Sequence, residues 1–144
     1  QATIEGAGFV TAFHSQSITK SDDSRWLAIG GTEGEVGVWD LQTGRLAQQF
    51  ETETGEVRAL RFSPGGEKLA MIAGHREVFL WQAAAAWSAT TVPAPRRWPE
   101  RLAVEICFIP HSPLLALGSN VVNRGAAVRM VAVDEPCRLP AVNK

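Results

Sequence analysis

The chain has 144 residues, of which 45% are hydrophobic and 20% are charged, and its formal net charge is −1. This length and apolar content suit one domain with a buried core, and they exclude collagen-like, low-complexity and strongly charged disordered chains. The pI near 6.3 lacks the basic excess that phosphate binding uses, so we expect no nucleic-acid partner. No apolar run approaches the ~18 residues that a membrane span needs. We therefore expect a soluble protein with no membrane partner and no signal or transmembrane segment, and its compartment stays open.

Charge is divided unevenly along the chain. Residues 1–56 carry nine acidic side chains against three basic ones, whereas residues 57–144 carry eleven basic side chains against six acidic ones. Chance distribution over solvated loops would explain this split. Two surfaces of opposite charge that attract complementary neighbours would explain it as well.

The two cysteines, Cys107 and Cys137, belong to no Cys-x-x-Cys motif. A secreted disulfide scaffold of this size usually holds more cysteines, so two buried thiols are the prediction and a single disulfide is the alternative. The chain begins with Gln1 rather than methionine. We therefore expect that it follows a cleavage site or was cut from a longer chain.

An internal repeat is the main feature of the sequence. Residues 59–84 match residues 17–42 without a gap, and a third copy covers 106–133 after a four-residue insertion around Asn120–Asn123. Three such units indicate a repeat architecture. The equivalent residues are Leu27, Leu69 and Leu115 at one position, and Trp39, Trp81 and Val131 at another.

Each unit is predicted to form a small antiparallel sheet, because short β-branched and aromatic runs alternate with turn residues. Several runs, such as LAMIA and LLALG, are apolar almost throughout, as in strands that are buried on both faces. The predicted strands are, in chain order, 17–21, 26–31, 35–40 and 45–51, then 57–63, 68–73, 77–82 and 87–92, and finally 103–109, 114–119, 127–133 and 138–143.

The unit resembles the repeat of the WD-repeat β-propeller family. A strand ends in Ser-Pro-Gly-Gly, Leu-Ala and a tight turn follow, and a further strand closes with Trp39-Asp40. This resemblance covers nearly all of residues 8–143 and is weaker in the third unit. It implies an all-β propeller segment over 1–144 made of four-stranded antiparallel blades. The implied boundaries are about 15–51, 57–92 and 103–143 for the three blades, with 8–14 as a spare outer strand of a neighbouring blade.

The resemblance also implies structural roles for a few side chains. In the family a hydrogen-bonded tetrad of His, Asp, Ser or Thr, and Trp ties the strands together. His14, Trp39 and Asp40 of the first unit and Trp81 of the second match this pattern. The chain departs from it elsewhere: Gly31 and Ala73 occupy the hydroxyl position, Glu53 lies where the second His would be, and Val131 replaces the third Trp. We expect the fold to survive because burial between blades supplies most of its stability.

Three blades are too few for a closed ring, since propellers typically have four to eight. The open faces of the first and third sheets are therefore expected to expose apolar surface. We expect further blades of a longer chain, copies of this chain or a partner chain to complete the ring.

No catalytic or metal-binding constellation is visible in the sequence. The three histidines lack ligand spacing, and Cys107 with His111 has no second pair for structural zinc. The Gly-rich GGTEG leads into a strand rather than a helix, and Asp22-Asp23 suit a turn better than paired catalytic carboxylates. We therefore predict that the chain is not an enzyme and has no catalytic residue, cofactor or metal.

The resemblance implies a non-catalytic scaffold that binds a protein or peptide through one rim of loops. Arg and Trp are enriched at interface hot spots, and Arg96, Arg97 and Trp98 fall in the predicted longest inter-blade loop, 93–102. Trp98 could instead cover the neighbouring blade. The alternatives are a propeller enzyme or cofactor-binding propeller whose site lies outside this chain, and a sugar or phospholipid binder, for which Trp87 and Trp98 are the candidate sugar-binding side chains. The predicted partner-binding residues are Glu53, Arg76, Arg96, Arg97, Trp98, Asn123 and Arg124.

Overall fold

The computed structural model describes residues 17–83, 87, 96–98, 103–121 and 125–133, which form strands and turns without a helix. The strands form three antiparallel sheets, each with its strands in chain order, and we call them blades 1, 2 and 3. This confirms the all-β prediction. Blade 1 consists of β1 (Ile18–Lys20), β2 (Trp26–Gly30), β3 (Glu35–Asp40) and β4 (Arg45–Glu51). Blade 2 consists of β5 (Val57–Phe62), β6 (Lys68–Ala73), β7 (Glu77–Gln82) and β8 (Arg96–Trp98). Blade 3 consists of β9 (Ala103–Phe108), β10 (Leu114–Val121) and β11 (Gly125–Ala132).

The strand register agrees with the repeat alignment in all three blades. The second and third strands of each blade pair at the predicted equivalent positions, which are Leu27 with Trp39, Leu69 with Trp81, and Leu115 with Val131. The four-residue insertion lengthens the β10–β11 hairpin, whose pairing extends to Val121 and Gly125. The insertion therefore leaves the pairing at the base of the blade unchanged.

The turn between the first two strands is also repeated. Its closing backbone hydrogen bonds run from Ser21 N to Trp26 O (2.9 Å), from Ser63 N to Lys68 O (2.9 Å) and from Ile109 N to Leu114 O (3.1 Å). In blades 1 and 2 the serine Oγ also accepts a hydrogen bond, from Trp26 N at 2.9 Å and from Lys68 N at 3.0 Å. Ile109 has no hydroxyl, so the third turn lacks this second bond.

Two apolar clusters hold the blades together, and blade 2 contributes to both. Along β6, Leu69, Met71 and Ala73 belong to the cluster shared with blade 1. The alternate residues, Ala70 and Ile72, belong to the cluster shared with blade 3. Because successive side chains of a strand point to opposite faces, blade 2 is buried on both. This is the arrangement that the continuous apolar runs predicted.

The two tryptophans of the repeat are buried in different surroundings. The Trp81 ring lies 4.8 Å from the ring of Phe50 in β4 and is stacked on Phe79 at 6.1 Å, so it joins blade 2 to blade 1. Trp39 is fully buried and its ring lies over Gly37, where a Cβ atom would come within 2.4 Å of the ring. A side chain at position 37 would displace the Trp39 ring.

The fourth strand of blade 2 differs from the prediction. It is β8, in which Arg96 pairs with Leu80 and Trp98 with Val78. The assignment of 87–92 to this strand is therefore wrong, and so is the placement of Arg96–Trp98 in an inter-blade loop. Packing is the physical reason. Trp87 lies in a turn, is 1% exposed, donates from Nε1 to Gly66 O at 2.7 Å, and packs edge-on against Phe62 at 6.0 Å.

Cys107 is an exposed free thiol, so the prediction that it is buried is wrong. It alternates along β9 with the buried Ile106 and so lies on the opposite face from the blade 2 contact. Two predicted strands, 8–14 and 138–143, lie outside the described residues, as do His14 and Cys137. In the part of the chain that the structure describes, no helix has the length and apolar character needed to cross a membrane.

Candidate functional site

Three loops meet at one edge of blades 1 and 2. They follow β2, β4 and β6, and we call residues 31–34, 52–56 and 74–76 together the loop rim. Backbone hydrogen bonds join them: Thr52 N donates to Gly34 O (2.8 Å), Val57 N to Gly31 O (2.9 Å) and Gly74 N to Glu56 O (2.9 Å). Each bond links loops that are distant in sequence. The rim is therefore one fixed surface rather than three independent loops.

Close contact at Gly74 fixes the junction between two of these loops. This glycine has φ +56°, and a Cβ atom there would clash with the carbonyl oxygen of Thr54. Only glycine combines that backbone conformation with such a close approach. This contact could not be predicted from the sequence, because its two residues lie 20 positions apart in different loops.

Arg58 binds both loops of this junction. Its Nε donates to Gly74 O at 3.4 Å, and its Nη2 lies 2.8 Å from Glu56 Oε2. Arg58 is the extra residue of a β-bulge, since Val57 pairs with Ala73 and Ala59 with Ile72. Blade 3 has the same bulge at Val104. The bulge therefore belongs to the repeat, whereas the arginine is specific to blade 2.

A buried carboxylate occupies the start of the rim. Glu35 is 6% exposed, and its Oε2 accepts a hydrogen bond from Glu33 N at 2.9 Å. The carboxylate lies directly over Gly31, leaving no room there for a Cβ atom. Position 31, where the family resemblance implies a hydroxyl, thus holds a glycine that makes room for Glu35.

The structure brings two of the predicted partner-binding residues to the loop rim. Glu53 is exposed and Arg76 is half-buried, and both lie beside the Thr54–Gly74 contact. Arg96, Arg97 and Trp98 lie instead in the edge strand β8, and Asn123 and Arg124 lie outside the described residues.

The predicted structural residues that are described occupy fixed positions. Trp39 and Trp81 are buried. Asp40 closes the turn after β3, where its Oδ1 accepts from Gln42 N at 2.9 Å and its Oδ2 lies 3.8 Å from Arg25 Nη2. The tetrad itself remains a prediction, because His14 is not among the described residues.

Asp22 and Asp23 lie in the turn after β1, as predicted. Oδ1 of Asp23 accepts hydrogen bonds from Ser21 Oγ (2.6 Å) and Arg25 N (3.0 Å). These bonds, the serine bond above all, hold the pKa of the Asp23 carboxyl below its usual value. Among the described residues, no group of three or more His, Cys, Asp or Glu side chains could hold a metal ion.

Blade 3 presents a second candidate surface, on its side away from blade 2. Here Val128 is 75% exposed and Met130 is 46% exposed, whereas the equivalent residues of blade 2, Val78 and Leu80, are 0% and 4% exposed. We call the surface of Val128 and Met130 the open face. It confirms the apolar exposure expected on the third sheet. On blade 1 the described residues show large exposed apolar area only at Ile18.

Antiparallel sheets that follow one another along the chain and pack face to face, as blades 1, 2 and 3 do, are the blades of a β-propeller. The crystal structure of the β-propeller domain of Cps50 (Swd1) from Myceliophteria thermophila has the same fold. It matches with a TM-score of 0.55 and 19% identity, over 80% of this chain and 42% of that chain. The chain therefore has the propeller fold that the WD-repeat resemblance implied.

Two relatives are similar in sequence. A U3 snoRNP-associated protein-like EMB2271 of Arabidopsis thaliana is 29% identical over 131 residues, which is 87% of this chain and 24% of that protein. A U3 small nucleolar RNA-associated protein 21 homolog of Schizosaccharomyces pombe is 37% identical over 60 residues, which is 40% of this chain and 6% of that protein. The chain thus spans a quarter or less of these relatives. No family model matches it.

Proposed function

We propose that the chain is a non-catalytic propeller segment that binds a protein or peptide through the loop rim. The observation that supports this proposal is the set of backbone hydrogen bonds that join loops 31–34, 52–56 and 74–76. A surface that is already ordered loses little conformational entropy when it binds, so more of the contact energy appears as affinity. Fold alone does not define a function, and the rim is the specific feature that supports this one.

The relatives support an assembly role. Both are named for association with the U3 small nucleolar ribonucleoprotein or its RNA. We infer that this chain acts as a scaffold within a protein–RNA assembly and contacts protein there. The acidic side chains Glu33 and Glu53, both exposed on the rim, favour a protein over a nucleic-acid phosphate backbone at this surface.

The open face is proposed to pack against a further blade. Its residues Val128 and Met130 occupy the repeat positions of Val78 and Leu80, which blade 3 covers in blade 2. The matched propeller domain also extends well beyond the part that this chain matches. A blade from the same polypeptide, from a second copy or from a partner chain would fit this surface.

A selection of short random peptides on the immobilised chain tests the rim. The rim variant is Glu33→Lys plus Glu53→Lys. The matched control is Asp22→Lys plus Glu67→Lys, because these exposed acidic residues lie in the turns at the opposite edge of the same blades. We expect the rim variant to weaken binding of the selected peptides about tenfold or more while the control leaves it unchanged.

Folding of both variants is checked by their unfolding midpoints. Peptides that bind the rim variant as tightly as the unaltered chain, or that lose binding only in the opposite-edge control, would contradict the proposal.

A further inference from the structure

Arg76 occupies an unfavourable backbone conformation at the tip of the β6–β7 hairpin. Its φ is +69°, in the left-handed region. The equivalent residue of the first repeat, 42 positions earlier, is Gly34 with φ +94°. Glycine adopts such a conformation without steric cost, whereas arginine does not. The second repeat therefore keeps an arginine where glycine would fit better, and such strain is concentrated at functional sites.

Arg76 is half-buried, so part of this residue is exposed on the loop rim. With the other residues that the structure describes, its guanidinium makes no hydrogen bond or ion pair. The neighbouring Arg58 differs, since it is bound to Gly74 O and to Glu56. Arg58 thus binds the loop at Gly74, two residues before Arg76.

We propose that Arg76 is the anchor of the loop rim for a carboxylate side chain of a protein partner. A guanidinium binds a carboxylate through two parallel charge-assisted hydrogen bonds, which give orientation as well as affinity. The exposed carboxylates of Glu33 and Glu53 stand on the same rim. They repel a nucleic acid, which carries a charge at every phosphate, but they tolerate a peptide with one acidic residue among neutral or basic ones.

This inference rests on the proposed function and names the partner chemistry of the same surface. The testing variant is Arg76→Gly, which removes the guanidinium and relieves the backbone. We expect its unfolding midpoint to equal or exceed that of the unaltered chain. Affinity for the rim-binding peptides should nevertheless fall about tenfold, as for the loss of one charge-assisted hydrogen-bond pair. Arg45→Gly is the matched control, because Arg45 is exposed at the opposite edge of blade 1.

A double-mutant cycle gives the decisive result. The single Asp or Glu of a selected peptide is changed to Asn or Gln. That change should weaken binding to the unaltered chain and have little further effect with Arg76→Gly. Independent effects of the two changes, or selected peptides without an acidic residue, would overturn the assignment of Arg76. So would an oligouridine RNA that binds the chain and loses affinity with Arg76→Gly.

The two proposals fail in different ways. If peptides depend on Glu33 and Glu53 but not on Arg76, the rim binds a partner and the anchor is wrong. If no selected peptide depends on any of these residues, the proposed function itself is wrong.

Discussion

Blades 2 and 3 are built on the same register but differ in what covers them. Leu69 pairs with Trp81 in blade 2 as Leu115 pairs with Val131 in blade 3. Both faces of blade 2 are buried, whereas the described residues bury blade 3 only on the face that meets blade 2. Val78 and Val128 show the contrast most clearly, because one is fully buried and the other is 75% exposed.

This difference distinguishes the interactions that form one blade from those that pack blades against each other. The hairpin pairing and the backbone hydrogen bond of the turn are both present in blade 3, although a valine replaces the tryptophan. The contribution of each apolar side chain to the free energy of unfolding depends on whether a neighbouring blade buries it. Equivalent residues in blades 2 and 3 can therefore be compared pair by pair.

We expect the largest loss of stability where one aromatic side chain contacts two blades. Trp81→Ala should lower the free energy of unfolding by about 3–5 kcal/mol, because it removes the contacts with Phe50 and Phe79 and leaves a cavity. The matched change Val131→Ala should cost only about 1–2 kcal/mol, since fewer buried methyl groups are lost. Urea unfolding followed by tryptophan fluorescence and circular dichroism measures both. Equal costs would contradict the role of Trp81 in stabilising the contact between blades 1 and 2.

A smaller effect is expected from a change that keeps side-chain volume. Val78→Thr places a hydroxyl in the dry contact between blades 2 and 3 and should cost about 1–3 kcal/mol. Val128→Thr, at the same repeat position on the open face, should change stability by no more than about 0.5 kcal/mol. The same unfolding experiment reports both values, at a low concentration where the chain is monomeric. A cost at Val128 as large as that at Val78 would mean that the open face is covered in solution.

Most of the fold could be predicted because the features that define the repeat lie close together in the sequence. Turn residues such as Ser63-Pro64-Gly65-Gly66 and the spacing of Leu69 and Trp81 fix the hairpins from neighbouring residues alone. The insertion before Val131 could be placed because the repeat resumes after it. These features required no knowledge of how the sheets pack.

The errors concern residues whose position depends on distant parts of the chain. The segment that begins at Trp87 has the better strand composition, whereas Arg96–Trp98 is flanked by prolines. Burial of Trp87 against Gly66 and Phe62 outweighed this local preference. Edge strands tolerate nearby proline, which allows β8 to form where it does.

The candidate site was only partly accessible from sequence for the same reason. Family resemblance pointed to Glu53 and Arg76. The contact of Gly74 with Thr54 and the bracing of that loop by Arg58 involve residues 16 to 20 positions apart. No local pattern signals such contacts. The alignment of the repeats places Arg76 at the position of Gly34. Only the structure shows that Arg76 has the left-handed backbone conformation that glycine adopts more easily.

We propose that the open face of blade 3, which the described residues leave uncovered, packs against a further blade. Its most direct test is the solution mass of the chain by light scattering over a range of concentrations, alone and with Val128→Lys plus Met130→Lys. We expect the unaltered chain to associate as concentration rises and the variant to stay monomeric with the same unfolding midpoint, since the exposed apolar area drives association. A monomeric chain at every concentration, or equal association of the variant, would contradict the account.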